Sequence, residues 1–303
     1  MIRPGFLPGM KQRNGALLIL ASAVAFGVMP IFGKLAFEAG VSVTTLLAVR
    51  FAMAAPVLWA GVLARGAFPR VSRGVKLRAL ALGGFGYAIQ SGLYFAALSR
   101  MDASVLSLIL YGYPAMVTGA AIILRREPAS RRRLAALVTA SFGIVLVLLG
   151  SGGGSLDTVG VLLGVGASLT YTTYILVSDT VTAHLEPLPL AAFVATGAVL
   201  TLVPFGVITG SLDFGFATEG WLWVALAALV STVTAIVLFL SGMTRTGPST
   251  AAILSTLEPP VTVGLVFVAF GEALGAVQVL GAVAVLGAAV IVNLPQRSVV
   301  ATG

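Results

Sequence analysis

The sequence predicts an all-α integral membrane protein, with ten transmembrane helices arranged as two inverted five-helix repeats and both termini on the cytoplasmic side. Three observations carry that prediction. First, 58% of the residues are hydrophobic and only 9% are charged, against roughly 25% charged in soluble domains, and the mean hydropathy is +1.07. Second, residues 94–147 and 239–292 read as one segment written twice, 145 positions apart and without a gap. Arg100 falls on Arg245, Ser104 on Ser249, Pro114 on Pro259, Gly119 on Gly264 and Glu127 on Glu272. Third, the second copy has lost the positive charge of the first. The five arginines Arg125, Arg126, Arg131, Arg132 and Arg133 have no basic counterpart in 270–278. Lys and Arg in short loops mark the cytoplasmic side, so a copy that keeps its core and loses those arginines reads as turned over in the bilayer.

A span needs about 20 mainly apolar residues to cross ~30 Å of hydrocarbon. Ten stretches satisfy this, near 15–36, 43–64, 78–98, 103–124, 133–150, 158–178, 188–209, 219–240, 248–270 and 274–294. They leave no room for a separate soluble domain. Residues 1–150 form the first repeat (spans 1–5) and 156–303 the second (spans 6–10). The joint is Gly150-Ser151-Gly152-Gly153-Gly154-Ser155, a flexible linker composition. No strand precedes this glycine run and no Gly-Lys-Ser/Thr follows, so it is not a phosphate loop. Span 1 follows a basic arm but is too long for the 7–15 apolar residues of a cleaved signal, and it is read as retained.

Orientation follows from the remaining charges. With the N-terminus inside, Arg3, Lys11, Arg13, Arg65, Arg70, Arg73, Lys76, Arg78, the five loop arginines, Arg245 and Arg297 all lie inside. Outside fall Arg100 and, near a helix end, Lys34, together with Glu38, Asp102, Asp157, Asp213, Glu219 and Glu272. Five spans per half then force the second half upside down. The net charge of +8 is a topology signal, aided by anionic lipid heads, and requires no nucleic-acid partner. Cysteine is absent and the single histidine, His184, sits in a loop. No disulfide, thiolate metal site or cofactor site is expected.

The spans differ in polarity. Spans 5 and 10 are almost wholly Ala, Val, Leu and Gly and read as supports, buried in apolar surroundings or facing lipid. Tyr87, Gln90, Ser91 and Tyr94 on span 3 are spaced to share one helical face. Span 4 carries Ser107, Tyr111 and Tyr113, span 6 Ser168, Tyr171, Thr172, Thr173 and Tyr174, span 8 Ser231, Thr232, Thr234 and Ser241, and span 9 Ser255, Thr256 and Glu258. Such a face lines a cavity, or alternatively hydrogen-bonds one helix to the next.

Three ionisable residues fall within spans. Lys34 lies near the outer end of span 1 and can snorkel. Arg50 and Glu258 lie deep, where charge is expensive and by default functional. The simplest arrangement pairs them as a neutral structural unit. The alternative gives Glu258 a proton that it exchanges for substrate. Pro114 and Pro259 (with Pro260) fall mid-span at matching positions, where each would kink its helix, and paired interruptions in two halves point to a central site or hinge. Glu127 and Glu272 precede spans 5 and 10, where a carboxylate suits the helix dipole, and Pro248 suits the first turn of span 9.

The repeated Pro114/Pro259 and Glu127/Glu272 segments, each followed by a glycine-bearing apolar span, resemble the EamA domains of the drug/metabolite transporter superfamily. The resemblance covers nearly the whole chain, and within the superfamily the chain is similar to YddG-type exporters of aromatic amino acids. It implies an inner-membrane exporter of amino acids or similar metabolites, with a central cavity between the halves and alternating access. The four-helix multidrug relatives carry an essential glutamate in their first span. Spans 1 and 6 here have none within the membrane, which argues against obligatory proton/drug antiport.

An intramembrane enzyme would need a nucleophile with a base, paired aspartates or metal ligands, and the spans supply none of these. A channel or a Glu258-coupled antiporter remains as an alternative to a carrier. The expected substrate-binding positions are Tyr87, Gln90, Ser91, Tyr94, Tyr111, Tyr113, Tyr174, Thr234, Ser255 and Glu258, with Pro114 and Pro259 as hinges. The expected partners are a small-molecule substrate and the lipid bilayer, and a monomer suffices.

Overall fold

The computed structural model describes residues 8–66, 68–125, 131–150, 157–182, 185–246 and 254–293. The linker 151–155, Glu127, His184, Pro248, Arg3 and Arg297 lie outside the described residues. Within them the chain is helical, with no strand. Six stretches are long and apolar enough to cross a membrane: Arg13–Glu38, Val43–Ala64, Ala103–Ile123, Thr158–Val177, Pro187–Ile208 and Glu219–Met243. Leu134–Gly150, Glu258–Phe270 and Ala276–Ile291 are shorter apolar helices.

Several spans are broken, and the breaks have local causes. The first divides into α1 (Pro8–Gly27) and α2 (Met29–Glu38), which has a proline in its first turn. After α3 (Val43–Ala64), the third stretch runs as α4 (Arg73–Ala81), a π turn (Leu82–Tyr87) and α5 (Ala88–Leu98). The fourth is split into α6 (Ala103–Leu110) and α7 (Tyr113–Ile123) by a turn at Tyr111-Gly112. Next come α8 (Arg131–Gly150), α9 (Thr158–Thr182) and α10 (Pro187–Ile208). The eighth stretch repeats the pattern of the third, with α11 (Glu219–Ala228), a second π turn (Leu229–Thr234) and α12 (Ala235–Thr246). The last two helices are α13 (Glu258–Phe270), preceded by a turn at Thr256-Leu257, and α14 (Ala276–Asn293).

These breaks correct the expected proline kinks. Pro114 and Pro259 occupy the first turns of α7 and α13, where the missing N–H costs nothing and the fixed φ suits a helix start. Each proline also lacks the N–H that would bond back to the preceding turn, so each span ends and restarts instead of bending. The turn residues 111–112 and 256–257 stand 145 apart, the offset of the sequence repeat. The π turns stand 147 apart, at 82 and 229.

Packing repeats the same symmetry. α3 packs on α10 and α8 on α14, each joining matching elements of the two halves, while α1 on α12 and α5 on α9 exchange places when the halves are swapped. Small residues set these crossings: Gly143 meets Gly281 between α8 and α14, and Gly15 meets Gly242 between α1 and α12, backbone against backbone. Lipid gives no hydrophobic drive for helix association, so close packing and hydrogen bonds supply it. Trp59 Nε1 donates to Thr196 Oγ1 at 2.9 Å across α3 and α10. Ser42 Oγ donates to the Ser211 carbonyl at 3.1 Å, and Thr45 Oγ1 both donates to the Asp213 carbonyl at 3.1 Å and accepts from the Asp213 N–H at 3.0 Å. The outward surface is apolar: Ile208 is 83%, Val268 81% and Leu149 71% exposed. Contiguous exposed apolar surface suits a bilayer and not water.

Candidate functional site

The interrupted helices surround one cavity of about 270 Å³. Where a helix breaks, carbonyls lose their i+4 donors and must be satisfied by other groups. Here side chains from other spans do so. Thr262 Oγ1 of α13 donates to the Gly27 carbonyl at 3.1 Å, where α1 gives way to α2. Ser22 Oγ donates to the Ala235 carbonyl at 2.7 Å, just past the second π turn. Ser168 Oγ of α9 donates to the Ile109 carbonyl at 3.0 Å, next to the break in the fourth span. The polar groups of the spans thus serve in part as the inter-helix glue that was the alternative to a cavity lining.

Of the ten expected positions, Tyr87, Gln90, Ser91, Tyr94, Tyr111, Tyr113, Ser255 and Glu258 border the cavity. Tyr174 stands behind them, against Tyr87 with ring centres 5.6 Å apart. Thr234 does not join the group. It closes the second π turn, is exposed and does not border the cavity. Missing from the expected set were Tyr171, Arg50 and the apolar wall residues Phe26, Met29, Phe95 and Phe239. Tyr171 had a visible signal, three positions before Tyr174 on the same helix. The phenylalanines had none, since they resemble any lipid-facing residue.

Aromatic rings form a large part of the wall. Tyr87, Tyr174, Tyr171, Tyr113 and Tyr111 make one continuous chain, with successive centroids 5.6, 6.1, 4.7 and 5.8 Å apart. Tyr94 adjoins Phe95 at 5.3 Å. All six tyrosines of the sequence therefore line or back this cavity. Such rings offer apolar faces with a polar edge, which suits a small amphipathic molecule.

Two ionisable groups face the same space. Glu258 opens α13, so its carboxylate sits at the positive end of that helix. Tyr111 Oη lies 2.8 Å from Glu258 Oε2 and 3.0 Å from the Ser255 carbonyl, so one phenolic proton is shared between two acceptors. Arg50 is 1% exposed. Its guanidinium lies over Phe51 at 4.4 Å and Phe95 at 5.1 Å, donates to Met29 Sδ at 3.0 Å and reaches Ser91 Oγ at 3.4 Å.

The expected Arg50–Glu258 pair is not formed. Among the described residues the ion pairs are Lys34–Glu272 and Arg100–Asp157. Lys34 does not simply snorkel; it bonds Glu272 and lies over the Phe270 ring. Glu272 accordingly joins α2 to the loop after α13, and the N–H of Gly275, just before α14, is met by Gln278 Oε1 at 2.8 Å instead. Neither Arg50 nor Glu258 is duplicated: Glu258 matches Tyr113 at the offset of 145, and Arg50 matches Ala198 at the offset of 148 that carries Pro56 onto Pro204. The charged groups are additions to a repeated frame. No cluster of three His, Cys, Asp or Glu among the described residues could hold a metal ion.

The EamA-like transporter family matches twice, over residues 13–149 and 158–294. The chain is 27% identical over 276 residues to the uncharacterized transporter YcbK of Bacillus subtilis (strain 168), covering 88% of each chain. A crystal structure of another protein shares the fold, with a TM-score of 0.63 at 18% identity, covering 91% of this chain and 95% of that one. The chain belongs to the EamA-like transporter family, a multi-pass membrane family built of two repeats.

Proposed function

We propose that the chain is a ten-span carrier, with both termini cytoplasmic, that exports amino acids or similar small metabolites across the bacterial inner membrane by alternating access. Aromatic and other neutral amino acids are the preferred class. The observation that carries this reading is the meeting of the broken helices of both halves around a single cavity walled by tyrosines. Broken helices at a repeat interface bring half-helix ends and movable half-helices to the site, which is how carriers build a site that can face either side. A cavity of about 270 Å³ is near the low end of ligand pockets, ~300–1,000 Å³, and suits a small substrate. The ring faces would take an apolar side chain, and Gln90, Ser91 and the backbone near Ser255 its polar end. The positive loop charge on one side supports the orientation.

The test is counterflow in proteoliposomes loaded with unlabelled phenylalanine or threonine, with labelled tracer outside and no pH gradient. A transient accumulation of tracer above protein-free vesicles supports an amino acid carrier. A channel gives equilibration with no overshoot, and no uptake of either amino acid rejects the substrate class.

A further inference from the structure

The cavity holds a buried cation that the protein leaves without an anion. Arg50 on α3 is 1% exposed and borders the cavity, yet neither ion pair among the described residues includes it. Its protein partners are weak ones for a guanidinium. A thioether sulfur is a poor acceptor, and the contact to Ser91 Oγ is long at 3.4 Å. Nε is buried with no hydrogen-bond partner. Ser91 in turn donates to Gln90 Oε1 at 3.4 Å, so the side chains that Arg50 reaches bring it no anion. Phe51 and Phe95 hold the guanidinium plane in place, and such stacking is favourable for Arg.

A charge at this depth is costly unless it is paired, and a packed guanidinium presents a planar fork of donors suited to a carboxylate. Resting on the transport reading above, we propose that Arg50 is the anion subsite of the cavity and binds the carboxylate of the transported molecule. The carboxylate is then the obligatory feature of the substrate, whereas the ring-lined wall tolerates different side chains. An amino acid and a simple carboxylic acid share this chemistry.

The test uses the purified full chain and three probes of one shape: phenylalanine, 3-phenylpropanoate and phenethylamine. In counterflow, phenylalanine and 3-phenylpropanoate are expected to compete with tracer, and phenethylamine, which lacks the carboxylate, to compete at least about tenfold more weakly. Arg50→Gln should lose that preference, and Arg50→Lys, which keeps the charge, should recover part of it. Thermal stabilisation of the protein by 3-phenylpropanoate gives a second readout that needs no transport. If the wild type carries no amino acid but is stabilised by the carboxylate through Arg50, the amino acid reading fails and the anion subsite stands. Phenethylamine competing as well as phenylalanine, or Arg50→Gln binding 3-phenylpropanoate as the wild type does, overturns it. Should Arg50→Gln fail to fold, the comparison of probes on the wild type still decides.

Discussion

The crossing of α10 over the first π turn brings backbone close to backbone, and it makes Gly197→Ala an informative perturbation. A Cβ added at Gly197 would lie 2.0 Å from the Leu80 carbonyl oxygen, and one added at Gly83 would lie 2.0 Å from that of Val194. Ordinary contact is about 3.5 Å, so α10 would have to move away by about 1.5 Å. Both opposing atoms are backbone and cannot swing aside as a side chain could. Overpacking of this kind costs about 1–3 kcal/mol. The matched control is Gly287→Ala on α14, where nothing lies within 4 Å of the added carbon. There the change should stabilise by about 0.5–1 kcal/mol, the ordinary helix preference for Ala over Gly. Thermal unfolding in detergent, followed by the fraction of monodisperse protein after heating, compares the two. Gly197→Ala should melt several degrees below the wild type and Gly287→Ala at or above it. If Gly197→Ala melts as high as its control, the close backbone crossing is wrong. Because this crossing braces the π turn that carries Tyr87, transport by Gly197→Ala should also fall by more than its loss of folded protein explains.

Other consequences follow from single contacts. Tyr111→Phe removes the hydroxyl shared by Glu258 and the Ser255 carbonyl, and should lower stability by about 1 kcal/mol while altering the pH dependence of transport. Gln90→Ala and Tyr94→Ala should weaken transport in counterflow with folded protein retained in size-exclusion profiles, and unchanged transport in both would remove this face of α5 from the cavity wall. Asp157 accepts from the Gly160 N–H and pairs with Arg100. The Gly160 hydrogen bond, with the Arg100 contact next, holds its pKa below the usual carboxylate value of 3.8. A lowered folded value means the stabilisation is present above the unfolded value and is lost as pH falls through the folded one. The melting difference between wild type and Asp157→Asn should therefore hold near neutrality and vanish only in strong acid. Glu272→Gln should loosen the tie between α2 and the loop after α13, read as faster labelling of a cysteine introduced at Phe270.

Much of this was legible in the sequence because it rests on composition and period. The duplicated segments, the charge asymmetry and the shared face of Gln90, Ser91 and Tyr94 need only helical geometry and the positive-inside rule. What failed did so where the backbone leaves the α-helical period. Thr234 was expected at the cavity as one of the polar residues of span 8, and it instead closes a π turn and does not border the cavity. The expected kinks at Pro114 and Pro259 became helix starts, because a proline fits a first turn and cannot bond back to the turn before it. Partner choice across the bundle was not legible at all. Lys34 and Glu272 are 238 positions apart, and nothing local says that they meet or that Arg50 and Glu258 do not.

The central claim is that one cavity between the halves is reached from each side of the membrane in turn. Because the chain has no cysteine, Leu110→Cys places a single thiol at the wall of that cavity. The decisive measurement is its labelling by a membrane-impermeant maleimide applied from one face at a time, in oriented vesicles, with and without phenylalanine. The account predicts labelling from both faces, slowed from both by substrate. Labelling from one face only, at a rate indifferent to substrate, would contradict it.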